Sequence, residues 1–374
     1  LLLGAFSYGG YGYVKVQRPV SSISHKQVFV IETNETPKTI YKNLEKQGFQ
    51  VVDISYNHIA PPFKYSSLKM RLGAFWCKKV LKQKKKKEIL RKKARLRHFT
   101  KIYQEMMEKI KTYEYFDYAL FLNGQIYPKY LLEQVKRKTE KLMVAYQWDG
   151  LDRFPKIWES IDIFDKVYAF DPEDNRKYRD KVIPAANFYF EVDQPTDTSN
   201  RYDFYFLGSH VPDLGRDKAI STFSKYAEKK GWKIDFTIFH VNDGSLNEHS
   251  DVYPDSIKAT AEPLTFEDNI KREMQSRVLL DFKAAVHTGL SFRTIESVGY
   301  RKKLITTNAE VAKYDFYHPD NIYIWDGKTF DGMEAFLDKP YCELPPEIYQ
   351  KYSFDNWLRY ILDLPPYQEI TLPE

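Results

Sequence analysis

Apolar residues fall in short blocks separated by amphipathic stretches, an order that predicts strands alternating with helices along most of the chain. "HKQVFVIET" reads as a strand from its Val and Ile content. "TPKTIYKNLEKQG" reads as a helix, with Thr36 as N-cap, Pro37 at the first helical position and Gly48 just past the end. "FQVVDISYN" is the next strand, and strand, helix, strand with short links is the signature of parallel pairing. "FDYALFLNGQ", "PKYLLEQVKRKTE" and "KLMVAYQWDG" repeat it. "SIDIFDKVYAFDPEDNRKYRD" adds a short helix, the strand "KVYAF" and an acidic turn that opens a helix, and "KVIPAANFYFE" closes this half.

The polar stretch "VDQPTDTSNR" crowds Pro, Thr, Ser and Asn together and reads as a linker. The pattern then restarts. "YDFYFLG" is a strand, "SHVPDLGR" a loop, and "DKAISTFSKYAEKKG" a helix stopped by Gly231. "KIDFTIFHV" is a strand followed by a polar excursion over 242–263. "TFEDNIKREMQ" is a helix whose Thr265 and Asp268 fit a capping box, and "RVLLDFKA", "KLITTN" and "NIYIWD" are further strands. Residues 330–361 read as mostly helical. The fold class is therefore α/β, two doubly wound Rossmann-like domains facing a cleft. The expected divisions are 1–192, carrying a helical insertion at 65–110; 201–353; and a C-terminal helix and tail, 354–374, packing back on the first domain. A length of 374 residues suits two domains with a core each.

Charge changes the picture at the insertion. Leu68, Leu72, Phe75, Trp76 and Val80 recur at helical spacing, and from Lys78 to His98 the one acid is Glu88. Three readings stay open: a solvated helix face, docking on an anionic membrane surface beside that apolar face, and nucleic-acid binding. No aromatics are interleaved in the basic run and no nucleic-acid module accompanies it, so nucleic acid is not expected as a partner. The net charge is +6, and the two cysteines, Cys77 and Cys342, form neither a CxxC pair nor a disulfide framework, which makes a reducing cytoplasm the expected compartment. The histidines show no HExxH or paired spacing, so no metal site is expected. The opening "LLLGAFSYGG" lacks a basic stretch and a cleavage pattern and reads as a buried strand entering a Gly-rich loop; with no initiator Met, the true start is expected to lie upstream. Tyr (29) and Phe (25) are plentiful enough to line a wet binding cleft as well as a core.

The chemistry concentrates in "HTGLSFRTIESVGYRKKLITTN", His287–Asn308. Gly289 and Leu290 break into a loop at the carboxyl end of the strand "RVLLDF", where α/β sheets bind ligands. Ser291 can cap the helix that follows, whose free backbone N–H groups and positive dipole end suit an anion. Arg293, in the first turn, can add a bidentate phosphate contact, and Glu296, one turn on, can accept hydrogen bonds from a ribose diol. Anion site plus diol acceptor describes a nucleotide. A second Gly-bearing loop, "FYFLGSHVPDLGR", offers Gly208 and Ser209 for close approach of a diphosphate, with Arg216 just before its helix, although a plain strand-to-helix turn fits equally. Asp149 in "YQWDGLDRF" ends a first-domain strand, either as general base on an acceptor hydroxyl or as a structural ion pair with Arg153. "DPED" fits acids at a helix N-terminus, and Asp171 and Asp174 are read as structural. His58 and His287 are further cleft candidates.

The segment "LLDF…HTGLSFRTIES…KKLITTN" resembles the donor-binding motif of GT-B glycosyltransferases, and is similar to bacterial enzymes of capsule and lipopolysaccharide assembly. The resemblance implies that Glu296 grips the ribose of a nucleotide sugar and that His287, Thr288, Gly289 and Arg293 lie at the donor. Retaining members carry an acidic residue eight positions before that Glu; here the position is Thr288. The expected activity is transfer of a sugar from a nucleotide-sugar co-substrate to a bacterial surface glycan or lipid-linked glycan, without metal or other cofactor, at the inner face of the cytoplasmic membrane. Two rivals from other classes remain: a nucleic-acid-binding protein using the basic helix, and a catalytically silent α/β scaffold.

Overall fold

The computed structural model describes residues 26–27, 36–54, 67–69, 71–72, 86–191, 199–211, 215–240, 246, 249–262, 264–284 and 288–374. The opening "LLLGAFSYGG", most of "HKQVFVIET", His58, Phe75, Trp76, Val80, Lys84, Lys85, most of the linker and His287 lie outside the described residues.

The first half contains strands β1 (Lys26–Gln27), β2 (Phe49–Gln50), β3 (Phe116–Leu122), β4 (Thr139–Gln147), β5 (Lys166–Ala169) and β6 (Ile183–Pro184), and helices α1 (Thr36–Lys46), α2 (Lys86–Lys111), α3 (Lys129–Lys138) and α4 (Pro172–Lys177). Strands β3 to β6 form one parallel sheet in sequential order, and β1 pairs parallel with β2. Strand β3, FDYALFL, is buried along its whole length, as a parallel strand covered on both faces must be.

The second half contains β7 (Tyr202–Ser209), α5 (Asp217–Lys230), β8 (Ile234–Phe239), α6 (His249–Val252), β9 (Lys258–Thr260), α7 (Phe266–Met274), β10 (Ser276–Asp281), α8 (Phe292–Gly299), β11 (Lys303–Thr306), β12 (Ile322–Ile324), α9 (Met333–Asp338), α10 (Pro346–Lys351) and α11 (Phe354–Ile361). Its six strands are all parallel in the order β9-β8-β7-β10-β11-β12. Numbered from β7, that is 3-2-1-4-5-6, the doubly wound order, with its reversal between β7 and β10. The period-two alternation of strand side chains divides the apolar residues between two cores. Phe204, Phe206, Val278, Leu280 and Ile305 face one core with Ile220 and Phe223 of α5. Tyr205, Leu207, Leu279 and Leu304 face the other, which continues through Ile270, Phe292 and Ile295 into the first domain.

The two domains therefore share an apolar core beside α8. Phe292 meets Trp148 edge-on at 5.8 Å and Phe188 at 5.2 Å. Helix α11 lies on the first domain, where Trp357 packs on Tyr146 and Phe188, and the Tyr360 hydroxyl donates to the Pro184 carbonyl at 3.0 Å. "KVIPAANFYFE", which closes the first half, joins the sheet as the short strand Ile183–Pro184 and makes an isolated parallel bridge from Tyr189 to Ser353. Pro184 has no N–H to extend a ladder. The Tyr189 N–H donates to the Tyr352 carbonyl and its carbonyl accepts from the Phe354 N–H, so this backbone is satisfied by the C-terminal segment. Strand β4 begins at Thr139, inside the expected helix, whose end is closed by the Thr139 hydroxyl donating to the Val135 carbonyl.

Gly299 is a packing requirement. A Cβ there would lie 2.1 to 2.4 Å from atoms of the Tyr189 ring. Gly299→Ala is expected to lower unfolding free energy by about 1–3 kcal/mol in urea denaturation, the range for overpacking a core. In the Tyr189→Ala background the same substitution should cost far less. Additive losses in the double variant would contradict the contact.

Candidate functional site

The carboxyl ends of β7, β10 and β11 gather Ser209, Asp281, Thr306 and the loops that follow. Sequence explains each placement: the apolar block fixes the strand, and the first polar residue after it emerges at the sheet's end. The Asp281 carboxylate accepts from the Ser291 hydroxyl at 2.8 Å and the Thr306 hydroxyl at 2.9 Å. Ser291 is also the N-cap of α8, accepting from the Thr294 N–H. Asn308 sits beyond β11 and donates to the Thr288 and Gly289 carbonyls at 3.2 and 3.4 Å.

Arg293 and Glu296 are drawn inward. Arg293, 2% exposed, donates from Nη1 to the Leu280 carbonyl at 3.1 Å and from Nη2 to the Leu207 carbonyl at 2.8 Å. It bridges β10 and β7 at the point where the strand order reverses, with its guanidinium 5.6 and 5.1 Å from the Tyr205 and Phe206 rings. Glu296 is 1% exposed and lies against Glu273 of α7. Burial, then the neighbouring Glu273, pushes the Glu296 carboxyl well above the usual glutamate range. Burial also raises Glu273, opposed by Arg293 at 4.0 Å and by the Asn269 amide, which donates at 3.0 Å. The Tyr205 hydroxyl donates to Asn269 at 2.7 Å and completes the network. Two carboxyls in contact and buried are stable when one keeps its proton and donates it to the other. The position expected to grip a ribose thus holds a neutral acid in a buried pair; the helix is buried all round, and the spacing of Glu296 could not show which side it faces.

The first-strand loop is built differently. Arg216, buried, donates to the Ser209 carbonyl at 2.9 Å, and a Cβ on Gly208 would lie 3.0 Å from its Nη2 and 2.7 Å from the Phe206 ring. Only glycine lets the backbone pass so close to the guanidinium. Burial lowers the affinity of Arg216 for its proton. Ser209 Oγ and Arg216 Nε are buried without a hydrogen-bond partner beyond β7; Arg293 Nε has none either but faces the Glu273 carboxylate at 4.0 Å. Beside them the Tyr253 hydroxyl donates to Asp217 and meets His210 Nδ1 at 3.2 Å. The tyrosine proton being spent on Asp217, the tyrosine oxygen can accept from His210 Nδ1. His240 and His249 join through Nε2 and Nδ1 at 2.8 Å. Among the described residues no group of three or more His, Cys, Asp or Glu is placed to hold a metal ion.

Across the cleft, Asp149 is ion-paired with Arg153 at 3.0 Å. Thr288 and Gly289 meet a residue that sequence reasoning assigned only to a helix end. Asp171 caps α4 by accepting from the Glu173 N–H, and it also accepts from the Thr288 N–H, the Thr288 hydroxyl and the Gly289 N–H. Its position directly after the strand "KVYAF", at the same sheet end as Asp149, was the available signal. Asp174 accepts from the Leu151 N–H, and burial raises its carboxyl to about 6.

No protein-family model matches the sequence, and no curated protein matches it. Among solved structures, the chain is similar to the Glycosylation Associate Protein (Gap123) complex from Streptococcus agalactiae, at 14% identity and a TM-score of 0.37, over 68% of this chain and 53% of that one. It thus spans about half the length of that relative. It is also similar to S. aureus MnaA in a co-structure with UDP, at 10% identity and a TM-score of 0.47, over 92% and 98% of the two chains. An alpha-glucosyltransferase in complex with UDP and a 13-mer DNA matches at 10% identity and a TM-score of 0.44, over 63% and 73%. At these identities and scores none of them defines what this chain does. Its own sheets make it an α/β protein of two Rossmann-like units, the second of them doubly wound.

The buried acid pair carries a pH signature. At low pH both states hold their protons; as pH rises through the usual glutamate range the unfolded chain releases its own first, so stability falls. Glu296→Gln keeps the neutral shape. The melting temperature of the parent should fall more steeply than that of Glu296→Gln as pH rises above the usual glutamate range. Parallel profiles would contradict a shared proton.

Proposed function

We propose that the chain is a GT-B-type glycosyltransferase that binds a nucleotide-sugar donor at the second sheet and glycosylates a bacterial surface glycan, of capsule or lipopolysaccharide type. The observation that carries this reading is the pair of buried polar atoms without a hydrogen-bond partner, Ser209 Oγ and Arg216 Nε, at the reversal point of a 3-2-1-4-5-6 sheet. Unsatisfied buried groups call for a ligand, and a guanidinium beside the N-terminus of α5 calls for an anionic one. A diphosphate satisfies both demands. In transfer, the sugar–phosphate bond breaks as the acceptor hydroxyl bonds to the anomeric carbon. The electron pair leaves on the diphosphate, where Arg216 and the backbone amides of Thr288 and Gly289 stabilise it. Asp149, at the facing sheet end, takes the hydroxyl proton once Arg153 yields it.

A thermal-shift panel of nucleoside diphosphates and CMP tests the donor site, since a ligand of the native state raises its melting temperature by mass action. At a hundred times its Kd the cognate nucleotide should add about 2.7 kcal/mol, and Ser209→Ala with Arg216→Lys should remove most of the shift. A flat panel would overturn the proposal. Because arginine supplies the positive charge, transfer is expected to persist in excess EDTA; loss restored by Mg²⁺ would contradict that role.

The same reading places the protein at the inner face of the cytoplasmic membrane through α2. This helix of 26 residues is about 39 Å long. Its second half is anchored by Met106 and Ile110, while Arg91, Lys92, Lys93, Arg95 and Arg97 are exposed along the first. Leu96 is 68% exposed and, nearby in sequence, Leu68 is 74% exposed, apolar groups that a lipid headgroup region would cover. Each basic residue near an anionic surface contributes about 1 kcal/mol. Replacing Lys92, Lys93, Arg95 and Arg97 with Gln should cut cosedimentation with phosphatidylserine vesicles at least tenfold. Equal sedimentation of variant and parent, or salt-sensitive RNA binding in its place, would contradict the assignment.

A further inference from the structure

We propose that Asp171 is a clasp: its carboxylate occupies the anion-binding loop of the second domain in the unliganded protein, and the phosphate of a donor must displace it. This rests on the reading above only in taking the displacing anion to be a nucleotide. Asp171 is 3% exposed and accepts four hydrogen bonds. Oδ1 takes the Glu173 N–H at 2.8 Å and the Thr288 hydroxyl at 2.6 Å; Oδ2 takes the Thr288 N–H at 2.8 Å and the Gly289 N–H at 3.3 Å. Two successive backbone N–H groups converging on one oxygen form an anion-binding nest, and here the chain fills it with its own carboxylate. Asn308 holds the Thr288 and Gly289 carbonyls from the opposite side, which aims the amides across the cleft. The approach is close: a Cβ on Gly289 would lie 2.5 Å from the Phe170 ring.

Three features separate a clasp from a simple structural bond. All four donors are neutral, so the charge of Asp171 is held by dipoles and hydroxyl alone, as a phosphate oxygen would be. Three of the four belong to the other domain, 117 or 118 residues away in sequence. The bonds are also separate from the contacts where Tyr189 packs on Gly299 and pairs with the C-terminal segment. An anion that takes the amides frees Asp171.

Asp171→Asn tests this selectively. Asn is a good N-cap, and its Oδ1 can still accept from Glu173, but its Nδ2 would face the Thr288 and Gly289 N–H groups, donor against donor. The intact chain and the variant are compared by amide hydrogen exchange over 288–290 and by calorimetric titration with uridine diphosphate and with inorganic pyrophosphate. The clasp predicts faster exchange at both amides and roughly tenfold tighter anion binding, because one competing charged acceptor is gone. Tighter pyrophosphate binding with no uridine diphosphate binding would keep the clasp and sink the nucleotide reading. Unchanged exchange, anion affinity equal to or below that of the parent, or no binding of either anion by either protein would overturn the clasp. If Asp171→Asn does not fold, Thr288→Ala, which removes one of the four donors, should shift exchange and affinity in the same directions by a smaller factor.

Discussion

The buried guanidinium of Arg293 is the constraint on which the second domain depends. It joins the Leu207 and Leu280 carbonyls and so fixes the spacing of β7 and β10 where the strand order reverses. A charge out of water must be paired or the structure is destabilised. Glu273 answers that need from α7, Asn269 and Tyr205 hold Glu273, and Glu296 joins it by keeping a proton. One cation thereby locks two helices against the sheet. With α8 immobilised, its N-terminal loop can face the first domain at a defined height, and Phe170 can close on Gly289.

That rigidity also explains where anion chemistry is left to happen. Arg293 is spent largely on main-chain carbonyls, and the ribose role expected of Glu296 has no open face. What remains toward the cleft is backbone: the loop at Gly208 and Ser209, backed by Arg216, and the amides of Thr288 and Gly289. In the proposed donor site, recognition of a diphosphate by amides, with buried Arg216 behind them, would need few exposed charged side chains. Asp171 occupies those amides and so ties the first domain to the loop before α8.

Most of the architecture was readable from residue order. Strand and helix alternation, the Thr265 and Ser291 caps and the Gly231 stop depend on local chemistry and appear where the residues place them. The site was readable only to the level of its loops. Helical spacing located Arg293 and Glu296 on one helix but could not say that the helix is buried on every side. Capping logic explained Asp171 so fully that its second role was hidden, since the same carboxylate geometry serves a helix end and a distant loop. Glu273 carries no motif, and Asp281 and Asn308 lie inside the "LLDF…KKLITTN" segment without a role that the sequence assigned them.

The central claim is that an anionic nucleotide binds at the reversal point of the second sheet. A crystal structure of the chain with a nucleoside diphosphate measures this most directly. The account predicts the diphosphate within hydrogen-bond reach of the Ser209 hydroxyl or backbone and of the Thr288 and Gly289 amides, with Asp171 withdrawn. A diphosphate bound elsewhere with the Asp171 contacts intact, or no bound nucleotide at saturating concentration, would contradict it.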